Sequence, residues 1–256
     1  MEDAKRPLEG IKVLEMATFI AVPAVGRILA DLGAEVVKIE SAKGDNLRFT
    51  APNEGRPSDP HEDINFDLEN SGKKGIVVDL RTDKGREILF KLLDDTDVFL
   101  TNWRPQALAR KNLTYEDLKG RYPSLVYASL TGYGEKGPDK DLPGFDYTAF
   151  FARSGWSGSL YQKGTVPSNL IPAIGDHQGA LALTVGVLAA LFRAKMTGKG
   201  EKVTTNLLHT AVWVQSFQIQ GAQYGNEFGG VSYPFDRRDN QLPYQPAVQT
   251  KDDRFL

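Results

Sequence analysis

The 256-residue sequence contains no cysteine. Disulfides, thiolate nucleophiles and zinc–thiolate centres are therefore excluded, and a reducing cytoplasm is the expected location. Histidine is nearly as scarce. His61, His177 and His209 stand far apart, without the spacing of metal ligands, so no metal site is expected. No sign of charge dominates either: 31 Lys and Arg against 33 Asp and Glu give a formal charge of −2, so neither nucleic acid nor a membrane surface is an expected partner. The first ten residues, Met1 to Gly10, lack an apolar signal core. The apolar run from Gly179 to Phe192 has 14 residues and is followed by Arg193 and Lys195. A membrane span needs roughly 20, so this run reads as a buried core helix.

Two common chemistries also lack their motifs. Gly155-Trp-Ser-Gly-Ser159 misses the second glycine of a serine-hydrolase elbow, and no strand precedes it. Phe19-Ile-Ala-Val-Pro23 follows the first strand without the glycines that let a dinucleotide pyrophosphate approach a helix terminus.

What is present is a steady alternation of strand and helix patterns. Lys12 to Met16 reads as a strand, Ala24 to Leu32 as a helix stopped by Gly33, and Glu35 to Glu40 as a second strand. Further strands are predicted at 75–80, 97–101, 125–130 and 202–205, with helices at 84–93, 114–117 and 211–224. A long helix begins near Asp176 and stops at Thr197-Gly-Lys-Gly200. The order predicts an α/β fold, a Rossmann-like open parallel sheet with flanking helices. The polar stretch Ser41 to Asn70 reads as a long surface excursion, and 135–172 as irregular. Residues 1–224 are expected to form one large domain. Residues 225–256 read as a linker and the start of a second, and 247–256 as a hairpin cut short, the pattern of a fragment.

Candidate functional residues gather near the predicted strand ends. Asp176 lies where a turn becomes a helix, in Ile174-Gly-Asp-His-Gln-Gly179. A helix cap and a nucleophile kept ionised by the helix terminus are both consistent with that position. Arg48, Lys73-Lys74, and Arg104 with Arg110 form three basic groups, suited either to solvent or to a polyphosphate. Trp103, between Asn102 and Arg104, either stacks on an adenine or packs under its loop. The aromatic residues Tyr147, Phe150, Phe151 and Trp156 suit an acyl pocket and core packing equally.

Taken in order, Pro7-Leu-Glu-Gly-Ile-Lys-Val-Leu14, Leu32-Gly-Ala-Glu-Val-Val-Lys-Ile-Glu40, Gly44-Asp45 with Arg48, Asn70-Ser-Gly-Lys-Lys74, Thr101-Asn-Trp-Arg-Pro105, Gly175-Asp176 and Thr197-Gly-Lys-Gly200 resemble the class III CoA-transferase family. The segments 132–138, 143–153 and 175–178 look most like its 2-hydroxyacid branch. The resemblance implies coenzyme A as an acyl-CoA co-substrate. It also implies transfer of CoA from an enoyl- or arylacryloyl-CoA to an (R)-2-hydroxy acid, as in anaerobic amino-acid fermentation. It places the nucleophile on Asp176, which would form an anhydride and then a thioester. CoA contacts fall on Phe19, Ile20, Ala21, Arg81, Asn102, Trp103 and Arg110, with Arg48 and Lys74 as further basic contacts and Asp146 as an acidic neighbour of the centre. Ile20 and Ser41 stand where formyl-CoA transferases carry Gln and a basic residue, which favours an apolar acyl group. The family's racemases carry a catalytic His at the position of Phe145, so racemisation lacks its base here. The resemblance further implies an interlocked homodimer in a longer form, association with a 2-hydroxyacyl-CoA dehydratase, and, as the alternative to an enzyme, an inactive CoA-binding fragment.

Overall fold

Five strand–helix repeats and a final strand build a single sheet in the computed structural model, which describes residues 6–56, 59, 63–168, 170–224, 250–252 and 254. The elements run in order β1 (Lys12–Met16), α1 (Ala21–Asp31), β2 (Glu35–Glu40), α2 (Ile64–Asn70), β3 (Lys74–Val77), α3 (Asp83–Leu93), β4 (Val98–Thr101), α4 (Pro105–Ala109), α5 (Tyr115–Leu118) and β5 (Val126–Thr131). A π-helical segment at Asp146–Ala152 follows, then α6 (Trp156–Ser159), α7 (Ile174–Thr197), β6 (Lys202–Asn206), α8 (Leu207–Val214) and α9 (Ser216–Ala222).

The six strands pair in parallel in the order β3-β2-β1-β4-β5-β6. This is the order of the doubly wound Rossmann architecture. The chain reverses its winding direction between β1 and β4, and ligands bind outside the carboxyl ends of the strands at that point. The central strands are apolar on both sides, as a covered parallel sheet requires. Val13, Val98, Leu100, Val126 and Ala128 face α1 and α7, while Leu14, Phe99 and Tyr127 pack with α3, α4 and α5.

Several boundaries differ from the sequence expectation, each for a physical reason. Among its described residues the stretch 41–70 is largely at the surface, as expected, but it is anchored and partly helical. Asp45 and Leu47 are buried, two short 3-10 turns follow, and α2 starts at an Asp63 cap that accepts the N–H groups of Asn65 and Phe66. The expected helix at 211–224 is two helices, broken at Gln215, whose buried amide donates to Ser154 Oγ at 2.9 Å. Within the supposedly irregular 135–172, the π-helical segment buries Ala149, Phe150 and Phe151. Phe151 stacks on Trp156 with centroids 5.2 Å apart, so these aromatic residues serve the core.

Helix α7 has 24 residues, longer than its apolar run, and by length and composition alone it matches a membrane span. Its buried side, Ala180, Leu183, Val187, Ala190 and Leu191, packs into the core with α1 and the sheet. The expected linker beyond 224 and most of the closing hairpin lie outside the described residues.

Candidate active site

A cavity of about 300 Å³ opens at the switch point, between the loops that leave β1 and β4. Thr18, Phe19, Ile20 and Ala21 form one wall, and Asn102, Trp103, Arg104 and Pro105 another. The segment Pro143–Phe145 and the α7 residue Asp176 complete it, with Lys140 also at its edge. Phe19 and Phe145 meet edge to face at 5.7 Å, giving the cavity an aromatic pair.

The β1–α1 wall is held in an unusual shape. Phe19 has φ +62°, a left-handed conformation that a bulky residue occupies only when its surroundings fix it. Asn102 supplies one clamp, accepting the Thr18 N–H at 3.1 Å and donating to the Thr18 carbonyl at 2.7 Å. Asp45 supplies the other, with Oδ1 accepting the Phe19 N–H at 3.0 Å.

Behind this loop lies a buried chain of charges. Lys38 pairs with Glu15 at 2.9 Å and Asp45 at 3.0 Å, and donates to the Ala17 carbonyl. Lys73 pairs with the other Glu15 oxygen at 2.7 Å and donates to the Pro23 carbonyl and Asn70. All four ionised side chains are essentially inaccessible. Such ions are tolerable inside a protein only when paired and hydrogen-bonded, as these are. Gly26 makes room for them, since a Cβ there would stand 2.0 Å from Glu15 Oε2.

Asp176 is the third residue of α7, not its cap. The cap position is Ala173, left-handed at φ +69°, and no side chain caps this terminus. The capping alternative is thereby overturned, and the carboxylate is free to face the cavity. The expectation that the helix start keeps it ionised is also corrected. Burial and the neighbouring Asp146 charge raise its pKa from 3.8 to about 7. Gly175 allows that closeness: a Cβ there would lie 2.5 Å from Phe150 and 2.8 Å from Asp146. Burial also raises the pKa of Asp146, against the N–H groups of Tyr147 and Ala173 and the charge of His177. His177 itself pairs with buried Glu69 at 2.8 Å.

The structure thus brings Phe19, Ile20, Ala21, Asn102, Trp103 and Asp176 to one cavity, with Asp146 outside its lining but near enough for its charge to act on Asp176. The other expected basic contacts are engaged elsewhere. Arg48 forks onto Glu40 and lies 3.4 Å above the Phe66 ring. Lys74 opens β3, toward the opposite edge of the sheet, and pairs with Glu35 at 3.1 Å. Arg81 follows β3 and binds Asp79 through two hydrogen bonds of 2.8 Å. Arg110 caps the far end of α4, whose first residue lines the cavity. Lys73, grouped with surface basic residues in the sequence, is an interior ion. The cavity's own cations are Arg104 and Lys140, both exposed. No sequence signal marked Lys140, which sits in a Gly- and Pro-rich loop. Of the four expected acyl-pocket aromatics, none lines the cavity, and Phe19 with Phe145 takes that position.

Comparison with known proteins identifies the family. The family model for CoA-transferase family III matches residues 8–256. The chain is 53% identical over 256 residues to a cinnamoyl-CoA:phenyllactate CoA-transferase of Clostridium sporogenes, covering 100% of this chain and 62% of that protein. It is 45% identical to an (R)-2-hydroxy-4-methylpentanoate CoA-transferase of Clostridioides difficile, covering 97% of this chain and 61% of that one. Among solved structures, a CAIB/BAIF family protein from Brucella suis superimposes with a TM-score of 0.81 at 31% identity, over 91% of this chain and 60% of that one. The chain therefore spans about three-fifths of the length of the curated relatives it matches.

Proposed function

The chain belongs to CoA-transferase family III, and from that premise we propose that it carries the nucleophilic half of a transferase moving CoA from an enoyl- or arylacryloyl-CoA to an (R)-2-hydroxy acid. The observation that carries this reading is Asp176, an uncapped carboxylate lining the switch-point cavity beside an aromatic pair. A carboxylate with a raised pKa is a stronger nucleophile once ionised.

In the proposed sequence, an Asp176 oxygen attacks the donor's thioester carbonyl. The carbon–sulfur bond breaks, giving an acyl–aspartyl anhydride and CoA thiolate. The thiolate then attacks the aspartyl carbonyl, releasing the donor acid and leaving an aspartyl-CoA thioester. The acceptor carboxylate displaces CoA from it, forming a second anhydride, and the thiolate takes the acceptor acyl group and frees Asp176. Each step exchanges one acyl bond for another, and water must be excluded throughout. Ala21, the first residue of α1, lines the cavity, and its N–H, which has no intrahelical partner, is the donor proposed for the developing oxyanion. Arg104 and Lys140 are the cations available to CoA phosphates.

The substrate reading draws on the phenyllactate and 2-hydroxy-4-methylpentanoate named for the two relatives, and on the apolar Phe19, Ile20 and Phe145 in the cavity. The proposed partners are a second copy of the chain in its longer form and a 2-hydroxyacyl-CoA dehydratase that consumes the product, and the proposed location is the cytoplasm. The test is covalent trapping. With cinnamoyl-CoA followed by hydroxylamine, a hydroxamate is expected on Asp176 and is expected to vanish in Asp176→Ala. A hydroxamate elsewhere, or none, overturns the assignment.

A further inference from the structure

Glu69 is a buried carboxylate that the proposed transfer does not use. It lies near the end of α2, 4% exposed, and among the described residues it hydrogen-bonds the imidazole of His177, 108 residues later. Helix α2 is fixed at both ends: Asp63 caps its start, and Asn70 at its end accepts a hydrogen bond from Lys73 of the interior charge chain. The Glu69 carboxylate therefore stands at a rigid position next to the first turn of α7. A carboxylate this buried needs a cation or donors to remain ionised. His177 provides the contact at 2.8 Å, while its side chain remains 44% exposed.

We propose that Glu69 and His177 form an electrostatic positioning pair for Asp176: Glu69 holds the His177 ring in place as an imidazolium, and that cation offsets the Asp146 charge so that Asp176 ionises for attack. The inference rests on the nucleophile reading given above. His177 is not assigned as a base; it acts through its charge on the adjacent residue.

The charged surroundings of Asp176 are few. Asp146 faces it from the π-helical segment, Glu69 from α2, and His177 from its own helix. Arg104 and Lys140 share the cavity, and His209 of neighbouring α8 lines a separate one. Asp146 and Glu69 raise the Asp176 pKa and His177 lowers it, with the His177 effect larger than that of Glu69. The pair as a whole thus favours the carboxylate. Glu69 in turn raises the pKa of His177 by hydrogen bond and by charge, which keeps the ring cationic toward neutral pH.

Two measurements on the same chain separate this inference from the reading beneath it. In an NMR titration of the three histidines, Glu69→Gln is expected to lower the His177 midpoint by about one pH unit and leave His209 unmoved. In the hydroxylamine trapping assay, His177→Gln is expected to move the acid limb of adduct formation up by about one unit. Trapping then falls about ten-fold at pH 6 and stays near the unaltered level at pH 8.5. His177→Lys, a permanent cation, is expected to restore the original limb. His177→Gln alters a half-exposed side chain, so its fold is readily checked by circular dichroism. An acid limb unmoved in His177→Gln, or a His177 midpoint unmoved in Glu69→Gln, overturns the pair while the nucleophile reading stands. No adduct in the unaltered chain at any pH overturns the nucleophile reading and the pair's role with it.

Discussion

At the scale of the residue, the proposed nucleophile Asp176 trades stability for reactivity. Its carboxyl is ordinarily half-ionised near 3.8, and burial with the Asp146 charge pushes it up to about 7. The folded protein therefore binds a proton that the unfolded chain has released between those two values. Above pH 7 the fold must carry an unwelcome charge, and as pH falls through 7 that cost declines. Asp176→Asn removes the charge altogether. It is expected to raise the melting temperature, and by more at pH 8 than at pH 5, on a scale of roughly 2–4 °C per kcal/mol for a chain of this size. Thermal melts at the two pH values check this, and a lower melting temperature at pH 8 would contradict it. The same group predicts a fall in covalent trapping as pH drops below about 7, because only the ionised carboxylate attacks.

At the scale of the element, the β1–α1 loop is shaped by residues far from it in sequence. Asp45 accepts the N–H groups of Phe19 and Leu47 through one oxygen and meets Lys38 with the other. Asp45→Asn keeps an acceptor for the two N–H groups and loses the charge; Asp45→Ala loses both. Breaking one side of a buried ion pair costs about 3–5 kcal/mol. The expected order of stability in urea is therefore unaltered, then Asn, then Ala. Hydrogen exchange at the Phe19 amide should accelerate in Ala beyond any change in Asn. Equal exchange in the two variants would mean that Asp45 does not hold the loop. Gly26→Ala tests the same chain of charges from α1. Its new Cβ would stand 2.0 Å from Glu15 Oε2, and overpacking of this kind costs about 1–3 kcal/mol. A variant as stable as the original would contradict that packing.

At the scale of the whole molecule, the apolar surface on the later helices is the outstanding feature. Leu181, Val185, Phe192 and Met196 of α7 are exposed, as are Trp213 of α8 and Phe217 of α9, the last at 90%. Exposed apolar residues gathered on neighbouring helices mark surfaces that another protein segment covers. In keeping with the proposed homodimer, sedimentation of this chain is expected to show self-association. Joint replacement of Phe192 and Trp213 by Glu is expected to shift it toward the monomer. An unchanged distribution would remove these helices from the interface.

By itself the sequence determined the α/β class and five of the six strands within one or two residues, and it marked Asp176 as a candidate. Those features rest on local signals: apolar runs, the stops at Gly33 and Gly198, and short motifs that survive in any context. The third strand shows the limit: expected at 75–80, it ends at Val77, and Asp79 beyond it accepts hydrogen bonds from Arg81. Only the tertiary structure decided what the polar residues do. Lys38, Lys73, Glu15 and Asp45 read as ordinary charges until the fold buried them together, and Arg48 and Lys74 as ligand contacts until Glu40 and Glu35 engaged them. It also decided that Ala173, not Asp176, occupies the cap, and that Glu69 stands beside His177. The physical reason is range. Periodicity and turn chemistry act over a few residues, whereas charge pairing and desolvation depend on neighbours that only folding brings within a few ångströms.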